Sequence, residues 1–186
     1  MIKHNFNSQR GVALVISLII LVSLTMLGLT SIQRTTTDLS MAGNQREIGL
    51  MFQSAEAGLV AAENTVRQSN SNGDFNNPSV GFYEVLADNP SYSSPDYFLE
   101  SNWENQSTAA ASSYKTKFGV VAEPRYMIEY LGDRAENPLA LINIDGYGQQ
   151  QTGKIVSIYR STARGVGLTG NSSRFVQSYF GKEIKP

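Results

Sequence analysis

Cysteine is absent from the 186 residues, and histidine occurs once, as His4. Without a thiol the chain makes no disulfide, no thiolate nucleophile and no thiolate metal site. Without a histidine beyond position 4 it builds no Ser-His-Asp triad and no His-based zinc site in its later part. The lack of disulfides does not argue against an exported location; it removes one marker of it. Basic residues are not in excess either. Fifteen Lys and Arg face 16 Asp and Glu, a formal net charge of −1, and no basic block stands out. The electrostatic footprint of a nucleic-acid binder is therefore missing. Proline is scarce, and the first one is Pro78. No cofactor or metal is expected from this inventory.

What the chain does have is one long apolar run. Val12 to Leu29 carries no charge, and the run reaches Ile32 if Thr30 and Ser31 are admitted. Arg10 bounds it on one side and Arg34 on the other. As a helix, residues 12–32 span about 31 Å, close to one hydrocarbon core. The basic leader before it, with Lys3 and Arg10, sets the N-terminus in the cytoplasm.

Three readings of this start compete. A cleaved secretory signal has an apolar core of about 7–15 residues and a small-x-small cleavage site. This run is longer, and Thr25-Met26-Leu27-Gly28 makes a poor site. A plain signal anchor is the second reading. The third is a leader cut ahead of the apolar run, which leaves the helix on the mature chain.

Gln9-Arg10-Gly11 followed at once by an apolar helix resembles the class III leader of type IV pilins. The resemblance implies cleavage by prepilin peptidase between Gly11 and Val12, with N-methylation of Val12. Loss of Lys3 and Arg10 leaves 13 basic residues against 16 acidic ones, a formal −3. Farther on, Met41-Ala42-Gly43-Asn44-Gln45-Arg46-Glu47 and Phe52-Gln53-Ser54-Ala55-Glu56-Ala57-Gly58-Leu59 resemble the PilX group of minor pilins. With the leader, this likeness covers roughly the first third of the chain. One departure stands out. Most pilins carry a glutamate fifth after the cleavage point, and here that place is Ile16. A buried carboxylate is costly unless paired, so a subunit without one needs no partner above it. The tip-most pseudopilin of type II secretion shares the lack, which implies a position at or near a fibre tip.

The helix is expected to continue to about residue 68. Ile48, Phe52, Ala55, Leu59, Ala62 and Val66 fall at spacings of three and four and draw one stripe, with Glu47, Gln53, Glu56, Glu63 and Arg67 mostly off it. A helix over the whole of 12–68 would be about 85 Å long. Gly28, Gly43, Gly49 and Gly58 each cost about 1 kcal/mol relative to alanine inside it. They are tolerated weak points, or small residues that permit close helix approach or local melting. Gly28, within the apolar run, is the candidate stretchable site; Ile16, Leu21 and Gly28 mark the expected assembly surface.

Residues 68–78 are rich in Ser, Asn and Gly and end the helix, with Gly73 a C-cap candidate. Phe82–Leu86 reads as a short strand or a helical turn, and Ser107–Ser113 as a short helix. Trp103, with Tyr92, Tyr97 and Phe98, is expected to supply core, a surface aromatic contact being the alternative. Three strands are predicted at 125–131, 155–163 and 175–180. Gly165, Gly167, Gly170 and Asn171 are expected to form the turn before the last. Helix followed by antiparallel sheet is an α+β pattern, with one sheet face on the helical stripe. The expected division is leader 1–11, membrane and assembly helix 12–34, amphipathic helix 35–68 and α+β head 69–186. The long connection after the first of these strands holds Asp133, Glu136, Asn143 and Asp145. It lacks calcium-loop spacing, and Asp133, Asn143 and Asp145 are the candidate partner-binding residues.

The resemblance implies a minor pilin, not an enzyme. It would wait in the bacterial inner membrane with its head in the periplasm and then pass into the pilus at the cell surface. There it would join a tip or priming complex that promotes pilus assembly, and through it twitching, adhesion or DNA uptake. The implied partners are prepilin peptidase, other minor pilins, the major pilin and a tip-associated adhesin. Two alternatives are a pseudopilin of type II secretion and a single-pass anchored binding domain. An enzyme using paired carboxylates has little to stand on. Glu100, Glu104, Glu123 and Glu129 read as surface charge, and nothing in the sequence pairs them.

Overall fold

A computed structural model describes residues 10–85, 93–110, 113–135 and 155–183. Helix α1 covers Arg10–Gln68 without interruption. The chain divides into two compact units, Met1–Arg46 and Glu47–Pro186. In the first unit the described structure is helix alone, and no side chain described there is buried. The second unit contains the rest of α1 and every other element.

Two 3-10 turns, Asn72–Phe75 and Pro78–Val80, follow the helix. Then come β1 (Phe82–Glu84), α2 (Glu100–Asn105), β2 (Thr108–Ala109), α3 (Ser113–Phe118), β3 (Arg125–Ala135), β4 (Ile155–Val166) and β5 (Ser173–Glu183). The sheet order is β1-β3-β4-β5, and β2 pairs with β3 as well. β3, β4 and β5 form an antiparallel meander. β1 lies parallel to β3, with Phe82 opposite Ile128, so the five-stranded sheet is mixed. The α+β class and the helix-on-sheet arrangement stand, and all three predicted strands are present and longer than expected.

Alternation assigns the two faces of the sheet. Tyr126, Ile128 and Tyr130 of β3 pair with Ala163, Ser161 and Tyr159 of β4, which pair with Val176, Ser178 and Phe180 of β5. This face packs on α1. Its core holds Ala62, Val66, Phe75, Tyr126, Ile128, Tyr130, Tyr159 and Ala163, with Leu59 and Phe180 half-buried beside them. The opposite face carries Met127, Glu129, Arg160 and Thr162. It is covered by a second cluster of Tyr83, Trp103 and Met127, with Val85 and Tyr97 at its margin. The head is thus a sheet with cover on both sides.

The helix docks on the expected stripe at Ala55, Leu59, Ala62 and Val66, but the stripe departs from the expected one at its start and includes smaller residues. Met51, Ser54, Ala55, Gly58, Ala62 and Val66 are buried, whereas Ile48 and Phe52 are exposed. Small residues decide this. A Cβ on Gly165 would stand 2.1 Å from the Met51 carbonyl oxygen, and one on Gly58 would stand 3.2 Å from the Ala163 Cβ. The backbones of α1 and β4 meet at Gly165, and no large side chain fits there. Gly165 therefore belongs to β4 and not to the turn, which begins after Val166.

Other expectations need correction. Gly73 does not cap α1; it lies in the first 3-10 turn, where its N–H bonds the Ser71 side chain. Within Ser107–Ser113, Thr108–Ala109 is strand and Ser113 opens α3, because β3 offers Thr108 and Ala109 a pairing edge. Phe98 is exposed, not core. Tyr92 lies outside the described residues, as do Glu136, Asn143 and Asp145.

Candidate functional site

The first candidate surface is the start of α1. Gly11 and Val12, the expected cleavage pair, are both helical, and a Cβ on Gly11 would meet nothing within 4 Å. From Val12 to Ile32 every large apolar side chain is exposed, Ile16 and Leu21 among them. Gly28 has open space around it. The helix is long and apolar enough to cross a membrane. Ser17, Ser23, Thr25 and Thr30 bond the helix's own carbonyls. Ser23 donates to the Ile19 carbonyl at 2.8 Å, Thr25 to Leu21 at 2.9 Å and Thr30 to Met26 at 2.8 Å. Thr35, Thr36 and Thr37 repeat the pattern one turn back along the helix. These bonds remove the hydroxyl cost of entering an apolar phase.

In the second unit, side chains tie α1 to the sheet at both ends of the contact. Glu47, expected to lie off the buried stripe, accepts from the Thr169 hydroxyl at 2.8 Å and the Ser172 hydroxyl at 3.4 Å, pinning the β4–β5 turn. Lys182 of β5 donates to the carbonyls of Val66 at 2.7 Å and Arg67 at 3.1 Å, and also to Ser69. A lysine there satisfies the last helix carbonyls and the negative end of the helix dipole.

Just past the helix end, Asn72 gathers a polar group. Its amide donates to the Tyr130 hydroxyl and the Ser157 hydroxyl, each at 3.1 Å, and its carbonyl accepts from Tyr159 at 2.6 Å. Burial, followed by the Asp133 carboxylate beside it, pushes the Tyr130 phenol up to about 12. Burial pushes Tyr159 up to about 12 as well. Asp133 itself lies in β3, not in the connecting loop, and accepts from Ser157. Its carboxylate faces the Asn72 group, which gives it a structural occupation.

The sheet face away from α1 holds a buried ion pair that the sequence did not reveal. Glu129 is fully buried, and Arg160 contacts it through Nε at 2.5 Å and Nη2 at 2.6 Å. Tyr97 donates to the same carboxylate, and Arg160 also donates to Ser94 at 2.7 Å. Bonding to Glu129 raises the Arg160 pKa, and burial with the Glu129 bond raises that of Tyr97. The group fastens the segment before α2 onto the sheet. Pairing Glu129 with Arg160 directly across β3 and β4 was the available signal, but it requires the register. Glu100 pairs with Arg164 at 2.7 Å, and Glu123 accepts from the Lys115 backbone at 2.9 Å. No group of three or more His, Cys, Asp or Glu placed to hold a metal occurs among the described residues.

Trp103 is buried as expected, its indole N–H on the Tyr97 carbonyl at 2.7 Å. It stacks near Phe175 of β5, with centroids 5.4 Å apart.

Comparison with known proteins gives two family matches. The PilX N-terminal family matches residues 10–60, and the family described as type IV pilus assembly protein PilX C-term matches residues 58–182. No curated protein and no solved structure shows significant similarity to the chain. The first match covers the bare apolar helix and the second covers the helix-on-sheet head. The chain belongs to the PilX family of type IV pilus assembly proteins.

Proposed function

We propose that the chain is a minor pilin that enters a tip or priming complex and promotes pilus assembly. Prepilin peptidase cuts between Gly11 and Val12 and Val12 is N-methylated. Segment 12–34 sits in the inner membrane until the subunit is drawn into a helical bundle. The observation that carries this reading is the uncovered apolar surface from Val12 to Ile32, on the same unbroken helix whose later turns are built into a folded head. Such a surface is stable in lipid or among other apolar helices, and it is costly in water at about 25 cal/mol per Å2. Ile16, Leu21 and Gly28 belong to the bundle contact, with Gly28 the site where the helix yields.

Other minor pilins, the major pilin and a tip-associated adhesin are the partners this role requires. Residues 133–150 are the proposed recognition segment, with Asn143 and Asp145 the better candidates because Asp133 already serves the Asn72 group. A pilus so primed serves twitching, adhesion or DNA uptake. The test is complementation of a deletion strain. Wild-type protein is expected to restore surface pili, to start at methylated Val12 and to co-fractionate with sheared fibres. A bulky residue in place of Gly11 is expected to abolish all three. Normal piliation with the uncut form would overturn the reading in favour of a plain membrane-anchored domain.

A further inference from the structure

Among the described residues, strand β5 is an edge of the sheet. It runs for 11 residues, pairs with β4 on one side, and no described strand pairs with the other. The β4–β5 ladder runs from Val156–Glu183 to Val166–Ser173 with no register shift, and β5 contains no proline. Open edges of this length are normally blunted by prolines, bulges or charges, because their bare N–H and C=O groups template further pairing; in β5 the charges Arg174, Lys182 and Glu183 stand near the ends and leave Phe175–Gly181 uncharged.

A second observation points the same way. On the sheet face covered by α2, the cover reaches β5 at Phe175 and leaves Tyr179 open. Phe175 meets Trp103 on one side and Phe98 on the other, at 6.1 Å between centroids, yet Phe98 is 90% exposed. Tyr179, on the same face of β5, is 63% exposed. An aromatic row therefore lies beside a free backbone ladder. Strand addition draws its affinity from the ladder and its specificity from alternate side chains.

We infer that β5 receives an extended segment of another pilus component, with apolar side chains at alternate positions and an acidic residue facing Arg174. Arg174 pairs through its backbone with Gly165, but it is exposed and its guanidinium makes no ion pair or hydrogen bond within the described residues. A second copy of this chain is the weaker fit. Antiparallel self-pairing centred on Ser178 sets Arg174 opposite Lys182 twice, and like charges directly opposite destabilise a ladder. It also sets Phe175 against Gly181, which offers no side chain. The inference rests on the proposed role in pilus assembly and names the surface through which that role is exercised.

The chain has no cysteine of its own, so single cysteines report accessibility cleanly. Full-length Tyr179→Cys, and Lys117→Cys on exposed α3 as the control, are to be treated with a maleimide in two strains. One strain assembles pili and the other lacks the remaining minor pilins. Labelling of Tyr179→Cys is expected to fall about tenfold in the assembling strain, as pairing on β5 encloses it, while the control is unchanged. Adding Arg174→Glu to Tyr179→Cys is expected to restore labelling at an unchanged melting temperature in detergent. Equal labelling of Tyr179→Cys in both strains overturns the inference. So does equal protection of both cysteines, which reports general burial, and so does a Tyr179→Cys homodimer under oxidant. If the protein is cut at Gly11 and found in sheared fibres while Tyr179→Cys stays open, strand docking alone fails. If it is uncut and absent from fibres, the proposed function fails first.

Discussion

Glu129 shows how far a single residue can depart from its type. A carboxylate with no buried surface would be an ordinary surface charge, but here it is enclosed between β3, β4 and the segment before α2, and Arg160 and Tyr97 saturate it. Removing one partner strands the other charge in a dry site. Arg160→Ala is expected to cost about 3–5 kcal/mol in urea unfolding, and Arg160→Lys should recover only part of that because it loses the two-pronged contact. An Arg160→Ala protein as stable as wild type would mean that water reaches Glu129. The buried tyrosines make a second prediction at this scale. Tyr130 and Tyr159 have pKa values raised from 10.0 to about 12. A raised folded value means that the unfolded chain loses these protons first. Their contribution to stability is therefore complete below pH 10 and is lost as pH rises from 10 toward 12. Ultraviolet titration should show Tyr130 and Tyr159, and with them Tyr97, ionising only together with unfolding. Early ionisation of all tyrosines with the fold intact would contradict their burial.

Among the elements, the joint between α1 and β4 is decided by what is missing from it. Gly165→Ala places a methyl against helix backbone that cannot move aside, with an expected loss of about 3 kcal/mol. Gly58→Ala meets the Cβ atoms of Ala163 and Pro124 at 3.2 and 3.3 Å, and the Arg125 carbonyl oxygen only at ordinary contact distance, 3.6 Å. Its crowding is offset by about 1 kcal/mol of helix propensity, so its net effect should be small. Thermal unfolding of the two variants should separate them widely, and equal effects would place the helix farther from β4 than described. The helix end offers another test. Lys182→Ala exposes the carbonyls of Val66 and Arg67 to an unfilled site and should cost about 1 kcal/mol. Amide exchange is expected to quicken in the last turn of α1 before anywhere else. Fraying spread evenly over the head would argue for a packing role instead.

At the scale of the whole molecule, the chain joins a unit whose described side chains are all exposed to one with two cores. Both clusters lie inside Glu47–Pro186. A chain beginning at Thr35 is therefore expected to be soluble and to melt in a single cooperative transition, seen by circular dichroism. Absence of such a transition would mean that the apolar run contributes to the head's stability. The apolar run, the end of the helix near residue 68 and the three C-terminal strands were legible in the sequence, because each depends on composition or period over adjacent residues. The docking stripe was legible only in part, at Ala55, Leu59, Ala62 and Val66. Ile48 and Phe52 match the period, but the sheet selected Ser54, Ala55 and Gly58, since close approach at Gly165 outweighs the extra area of larger side chains. The Glu129–Arg160 pair, the parallel addition of β1 and the strand at Thr108–Ala109 were equally hidden, since each arises from register between segments far apart in the chain. Sequence alone determined that one helix must find an apolar surrounding outside its own chain. Tertiary structure alone decided which face the head lays on that helix and which described strand stands at the sheet's edge, because both follow from backbone distances that no local pattern contains.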